Sequence, residues 1–366
     1  MTLTWAQVLA WRTRRQFIES PGEASAVDVV RRLAGVQAQV ASAAELTVAL
    51  RRAQPDPSAV PRALWDENSL VKTWAMRGTL HLLPADEAAA YLALCATVRN
   101  WEKASWQKAF GATTADLEAI AAAATEILSG GAVFTREELT AAIVDKTGSA
   151  HLAEVLGSGW GPLLKPLAWW GVLRYGPSRG NRVTFTSPEN LPAWRGLPAV
   201  EDAARTVIRA YLGAHGPATP EMFDNWLTRT LSRKKELRTW FASMAGELAT
   251  VEVEGVPMYA LAEHVDELEA TAPTRSVRLL GGFDQYVLGA GTGAAYLIPA
   301  ERRADVSRTA GWIAPVVLHE GRVAGTWESK NGAIAVTPFE EIPHALLDAE
   351  ITRVKALLTR TAPDGE

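Results

Sequence analysis

The stretch VLRYGPSRGNRVTFT, from Val172 to Thr186, decides the fold that we predict for this chain. Apolar and polar residues alternate on both sides of a turn that contains Gly180 and Asn181, which is the pattern of a β-hairpin. Three helical patterns precede the hairpin, between about residues 113 and 170. Three helices followed by a two-stranded hairpin is the order of a winged helix, the helix-turn-helix variant with a β wing.

The same order is predicted on both sides of this unit. Helical patterns between about residues 4 and 67 precede LVKTWAMRGTLHLL (70–83), a segment broken by Gly78 that we interpret as a β-hairpin or a bent strand. Helical patterns between about 200 and 245 precede strands near 248–261. Beyond about residue 275 the pattern becomes strand-like, including FDQYVLG, until a final helix near 340–360. We therefore predict an α+β fold with three tandem winged-helix units and a C-terminal β-rich subdomain. The predicted boundaries are 1–110, 111–198, 199–270 and 271–366.

Composition favours a packed globular protein. Of the 366 residues, 48% are hydrophobic, and the single cysteine, Cys95, excludes an internal disulfide and a cysteine-rich zinc site. No apolar run reaches the roughly 18 to 20 residues of a membrane span, so we expect a cytoplasmic protein without membrane contact. The net charge of −4 does not by itself indicate nucleic acid, but the arginines are clustered, and a local field suffices to bind phosphate.

The segment LAGVQAQVASAAELTVAL (33–50) contains the candidate functional pair, Gln37 and Gln39. We expect Gly35 to end the preceding helix in the left-handed conformation. If the chain is then extended, the two amides share a face, whereas on a helix they diverge by roughly 200°. Pattern alone leaves both geometries open, because isolated polar residues are also common at the ends of helices.

Other motifs are weaker. Gly289, Gly291 and Gly293 match a G-x-G-x-G phosphate loop, but the following elements look like strands and not like the required helix, so we predict a flexible loop. The six histidines lack metal-ligand spacing, and we predict neither a metal site nor a cofactor.

Polar residues of two predicted hairpins are candidate DNA contacts. Arg77 and His81 lie in the first wing-like segment, where hairpin geometry would bring them close together, although a surface histidine bonded to the backbone is the alternative. Arg179, Asn181 and Arg182 lie at the exposed tip of the second hairpin, where contact with phosphates is expected.

Several strings together identify a family resemblance. They are VQAQ (36–39), RGTLHLLP (77–84), LAWWGVLRYGPSRGNRVTF (167–185), HGPATP (215–220), FDQYVLG (283–289) and PVVLHEGRVAGTW (315–327). In these strings the chain resembles the AlkZ-type winged-helix DNA glycosylases over nearly its whole length. The resemblance implies three winged helices and a β domain curved around duplex DNA.

The resemblance also implies an activity. Members of this family excise N7-alkylated purines, and some unhook interstrand cross-links made by azinomycin-like natural products, which protects the producing bacterium. The family's Gln-apolar-Gln motif corresponds to Gln37, Ala38 and Gln39, although some relatives carry aspartate at the position of Gln39. An amide is a poor base but can hold a water molecule, and N7 alkylation already activates the guanine as a leaving group. The resemblance thus implies a monofunctional DNA glycosylase without a covalent intermediate.

A second class of function stays open on the residues alone. A non-catalytic winged-helix regulator, or a drug-sequestering protein, would use the same fold, since winged helices more often bind DNA than cut it. A regulator should bind a specific operator as a symmetric dimer. Three winged units in one chain lessen the need for a dimer, so we expect a nucleoid-associated monomer that binds duplex DNA carrying alkylated or cross-linked guanine.

Overall fold

The computed structural model describes residues 1–361, without the side chains of 158–160, 360 and 361. The last five residues of the predicted C-terminal subdomain, 362–366, lie outside the described residues. The chain divides into two compact units. Unit 1 comprises Met1–Val60, Ile208–Trp226 and Leu237–Glu366, and unit 2 comprises Pro61–Val207 and Leu227–Glu236.

The fold is mixed α+β, as predicted. The first part contains β1 (Thr2–Leu3), α1 (Trp5–Arg15), α2 (Ala26–Arg32), β2 (Val36–Gln37), α3 (Ala41–Ala49), α4 (Ala59–Trp65), β3 (Leu70–Trp74), β4 (Leu80–Pro84), α5 (Ala88–Ala96) and α6 (Ala104–Phe110). The middle part contains α7 (Thr114–Ile127), β5 (Phe134–Thr135), α8 (Arg136–Thr147), α9 (Ala150–Trp169), β6 (Arg174–Arg179) and β7 (Arg182–Thr186). The last part contains α10 (Val200–His215), α11 (Pro220–Thr228), α12 (Lys234–Ser243), β8 (Leu248–Val253), β9 (Val256–Leu261), α13 (Val265–Ala270), β10 (Val277–Leu280), α14 (Gln285–Ala290), α15 (Arg303–Val306), β11 (Val316–His319), β12 (Arg322–Lys330), β13 (Ala333–Pro338) and α16 (His344–Thr361).

In unit 2, the hairpin predicted at 172–186 is confirmed as the antiparallel pair β6–β7, and β5 joins it along β7. Gly180 makes the tight turn possible with a φ of 59°. The preceding helices α7 and α8 both begin at a capping box, at Thr113 and Thr135. Their apolar faces pack with α9 and with Phe185 of β7 into one core, so the helices and the hairpin form a single packed body.

The second hairpin of unit 2 is β3–β4, the first of the two forms that the sequence allowed for this segment. A short 3-10 turn connects the strands, and in this turn Arg77 has a φ of 57° and Gly78 a φ of 66°. His81 pairs with Thr73 across the hairpin.

In unit 1, the N-terminal strand β1 pairs in parallel with β8, about 250 residues further along the chain. The predicted hairpin β8–β9 is confirmed. Leu3, Val8 and Trp11 pack against Val251 and Met258, so the first helix shares a core with this hairpin. Strands β10 to β13 form an antiparallel four-stranded sheet, against which α16 packs.

The strand predicted for FDQYVLG is wrong, because residues 285–289 of this string lie in helix α14. Asp284 caps the helix by accepting a hydrogen bond from the backbone N–H of Tyr286 at 2.9 Å. The helix is buried on almost every side, so its continuous apolar run carries no period that separates a helix from a strand. Gly289 is needed for packing, since a Cβ there would overlap the ring of His215. This close packing explains one glycine of the G-x-G-x-G string without a nucleotide.

Candidate active site and DNA-contact residues

The segment before the two glutamines is shaped by the end of α2. The backbone N–H of Ala34 donates to the carbonyl of Arg31 at 3.1 Å, and that of Gly35 donates to Val30 at 2.9 Å. This is the Schellman pattern, whose left-handed position is Ala34, with a φ of 56°. The helix therefore ends where the sequence predicts, but Ala34 and not Gly35 takes the closing conformation. Gly35 follows with a φ of 96° and redirects the chain.

The two amides differ in their surroundings. Gln37 lies in β2, so the backbone is extended at this residue, and Gln37 is only 7% exposed. Gln39 is exposed in a bend, just before α3 begins without a side-chain cap at Val40. One amide is thus buried, while the other is accessible to solvent.

Helix α3, directly after this motif, is clamped at its far end by a buried ion pair. The guanidinium of Arg51 donates to both carboxylate oxygens of Asp284 at 2.8 and 2.7 Å, and both side chains are fully buried. Arg51 also donates to the carbonyl of Thr47 at 3.0 Å. Gly281 packs so closely on α3 that a Cβ there would lie 3.0 Å from Leu46. These contacts fix α3 to the segment before α14.

An apolar cavity of about 330 Å³ lies beside α3 in unit 1. Its wall begins at Val40, the residue after Gln39, and includes Phe283 and Trp312. The two aromatic rings meet edge to face with centroids 5.0 Å apart, and the Trp312 side chain is 45% exposed. The candidate active site therefore has an apolar, aromatic surface next to its accessible amide.

The expected DNA contact at His81 is wrong, because this side chain is completely buried. Its Nδ1 lies 3.0 Å from the carbonyl oxygen of Thr79, a contact that requires the proton on Nδ1. Burial, followed by the nearby positive charge of Arg77, lowers the pKa of His81 to about 3. A buried neutral imidazole has no charge to offer a phosphate, so His81 supports the hairpin from within.

Arg77 is half-buried, and its charge acts on the pKa of His81. It lines a cavity in unit 2 together with Lys165 and Arg229, two basic residues that sequence analysis missed. A signal for Lys165 was present, since it is a lone charge within the apolar string LLKPLAWW. Arg229 carries no distinguishing local pattern.

The tip of the β6–β7 hairpin presents Arg179, Asn181 and Arg182, all exposed as predicted. Arg179 and Arg182 are directly paired across the strands. Arg179 is partly committed to an internal contact, because it donates to Glu138 at 3.0 Å. The backbone N–H of Thr135, and more weakly the charges of Arg179 and Arg182, lower the pKa of the Glu138 carboxyl.

Two kinds of site are absent from residues 1–361 as far as the structure describes them. No three histidine, cysteine, aspartate or glutamate side chains come together in a way that could hold a metal ion. Across the same described residues, no helix combines the length and the apolar character needed to cross a membrane.

Comparisons with known proteins cover nearly the whole chain. A family model described as DNA glycosylase AlkZ-like matches residues 30–362. The interstrand DNA cross-link repair glycosylase of Streptomyces sahachiroi is 50% identical over 359 residues, which are 97% of this chain and 96% of that protein. The structure of the Streptomyces sahachiroi DNA glycosylase AlkZ matches with a TM-score of 0.93 and 48% identity, covering 99% of this chain and 97% of its own.

Proposed function

This chain belongs to the AlkZ-like family of DNA glycosylases, and we propose that it hydrolyses the N-glycosidic bond of N7-alkylated guanine in duplex DNA. The observation that carries this proposal is the pair Gln37 and Gln39 on a chain that leaves the helical conformation at Ala34. One amide is anchored inside the protein, and the other is open to solvent directly before the clamped helix α3.

The chemistry of an amide pair suits this substrate. In the proposed reaction, the oxygen of a water molecule forms a bond to C1′ while the bond from C1′ to N9 breaks. The bonding electrons neutralise the positive charge that N7 alkylation placed on the guanine, so the base leaves without an acid. The water releases its proton to solvent, because an amide is too weak a base to keep it. The amides position the water and offer oxygen dipoles to the cation-like sugar.

The relative's name supports a wider substrate range. We extend the proposal to the unhooking of interstrand cross-links at N7 of guanine, including those of azinomycin-like natural products. A cross-linked guanine is tied to the opposite strand and cannot swing freely into a deep pocket. The exposure of Gln39 supports an open site that works on the lesion in or near the duplex. We propose that the protein acts as a monomer on nucleoid DNA and uses no cofactor.

The three hairpins support a proposal for the architecture. The hairpins β3–β4, β6–β7 and β8–β9 each follow a group of helices, so we propose three winged helices, at 1–110, 111–198 and 199–270, and a β-rich subdomain from 271. Arg77, Arg179, Asn181 and Arg182 are proposed to contact the DNA backbone. Arg182→Ala should then make the slope of log K against log salt less steep by the amount of about one phosphate contact. This change should be the same for DNA of any sequence.

The test uses duplex DNA with a site-specific N7-guanine cross-link, followed by alkaline cleavage at abasic sites. The wild-type protein should leave an abasic site, and Gln37→Ala and Gln39→Ala should form it much more slowly. Gln54→Ala is the matched control, since Gln54 is an exposed glutamine of the same unit outside the motif. A wild-type protein that binds this DNA and leaves no abasic site would be a regulator or a drug-sequestering protein instead.

A further inference from the structure

A small cavity in unit 2 collects positive charge. It has a volume of about 250 Å³, and its wall includes Arg77, Lys165 and Arg229. Among the described residues that form this wall, none is acidic. The three cations therefore line one partly open cavity without a negative side chain in its lining.

Lys165 is partly desolvated in this cavity. It is half-buried on α9, and its ammonium lies 3.8 Å from the position that a Cβ on Gly78 would take. Burial, followed by the neighbouring charge of Arg229, lowers the pKa of Lys165. Two like charges in a partly desolvated space repel each other, and an anion between them would turn this repulsion into attraction.

The backbone of the same wall is held in unusual conformations. Arg77 and Arg229 have φ values of 57° and 64°, in the left-handed region that L-residues rarely adopt, and Gly78 between the strands has 66°. Strain of this kind persists where the surrounding structure enforces it, and it concentrates at ligand-binding sites. Both arginines thus hold strained positions on one cavity, which is a second observation independent of their charge.

We propose that this cavity binds one phosphodiester of the DNA backbone, with Lys165 and Arg229 as its main cationic contacts. Arg229 is exposed, so a phosphate can reach the cavity from solvent. A guanidinium donates paired hydrogen bonds to phosphate oxygens, while the ammonium acts as a compact charge behind them. The inference rests on the proposed function, because it takes DNA as the source of the phosphate.

The experiment measures how the affinity for an undamaged duplex depends on salt. The variants are Lys165→Met, Arg229→Gln and the double variant, and Lys146→Met is the control, because Lys146 on α8 is paired with Glu126. Loss of one phosphate contact lowers the slope of log K against log salt by about 0.9, so the affinity ratio to wild type changes about eightfold per tenfold change in salt. If Lys165→Met fails to fold, Arg229→Gln, at an exposed position, carries the test.

Because both cations serve the same phosphate, the double variant should lose about 0.9 in slope, and not the roughly 1.8 of two separate contacts. A loss near 1.8, or slopes equal to those of wild type and Lys146→Met, would overturn the proposal. If the slopes are unchanged, the effect of inorganic phosphate on stability is measured at constant ionic strength. Phosphate that stabilises wild type but not the double variant would show that the cavity binds a free anion and not DNA. This assay measures the binding of undamaged DNA and involves no base release. A negative result here therefore leaves the glycosylase proposal intact, and a protein that releases no base could still bind a phosphate in this cavity.

Discussion

Replacing Asp284 with alanine should leave the guanidinium of Arg51 buried without a counter-charge. In the native protein this guanidinium makes two hydrogen bonds of 2.8 and 2.7 Å to Asp284, and both side chains are fully buried. Removing one partner of a buried ion pair typically costs about 3 to 5 kcal/mol, because the other charge stays desolvated. Asp284 also caps α14, and loss of a cap costs about 1 kcal/mol more.

These values predict a large change in thermal stability. Each kcal/mol shifts the melting temperature by roughly 2 to 4 °C in a body of 150 to 250 residues, so Asp284→Ala should lower it by about 8 to 24 °C. Asp284→Asn is the informative companion, since asparagine keeps the capping oxygen and removes the charge. The melting temperature of Asp284→Asn should lie between those of wild type and Asp284→Ala.

A double-mutant cycle with Arg51→Met separates the ion pair from packing effects. Arg51→Met alone strands the carboxylate and should cost a similar amount, whereas the double variant removes both charges and should lose much less than the sum of the singles. The midpoint of chemical denaturation is measured for wild type, both single variants and the double variant. Additive losses, or single losses below about 1 kcal/mol, would refute the claim that this pair clamps α3.

Two further predictions concern unit 2. The folded-state pKa of His81, about 3, lies below the 6.5 of a free imidazole, so the unfolded chain binds a proton first as the pH falls. Between pH 7 and pH 5 the free energy of unfolding of wild type should therefore fall by about 2 kcal/mol more than that of His81→Leu. Chemical denaturation at both pH values measures this difference. Equal losses in the two proteins would contradict the neutral buried state of His81. Arg229→Gly should raise stability by about 1 kcal/mol by relieving the left-handed strain, while it weakens DNA binding. Arg229→Ala keeps the strain and should not be stabilised, and equal melting temperatures for the two variants would argue against strain.

The hairpins were predictable because their signals are local. Alternating residues around Gly180 specify β6–β7 without reference to the rest of the chain. The capping residues Thr113 and Thr135 likewise mark the starts of α7 and α8 within four residues. Local turn and cap chemistry therefore sufficed for much of unit 2.

What sequence analysis missed depends on contacts between distant residues. Helix α14 looked like a strand because burial on nearly all sides removes its period, and its cap residue Asp284 pairs with Arg51, 233 positions away. The left-handed position at the end of α2 is held by Ala34, against the usual preference for glycine. Lys165 and Arg229 come together only in the folded unit.

For the two glutamines, the sequence predicted which residues to consider but not their burial. Pattern and family resemblance singled out Gln37 and Gln39, and the backbone at Gln37 has the extended one of the two geometries that the pattern left open. The different burial of the two amides could not be read from spacing, because it depends on what packs around β2 and the bend after it.

The most direct test of the proposed reaction is single-turnover release of N7-alkylguanine from a duplex with one defined lesion. Gln39→Ala and Gln37→Ala should each slow the release by about 10² to 10³-fold, the usual loss when one group that stabilises a transition state is removed. Gln54→Ala should release the base at the wild-type rate. Because Gln39 is exposed, its loss should leave the melting temperature unchanged, so slow release there would reflect chemistry and not unfolding. Release at the wild-type rate by folded Gln37→Ala and Gln39→Ala would contradict the account.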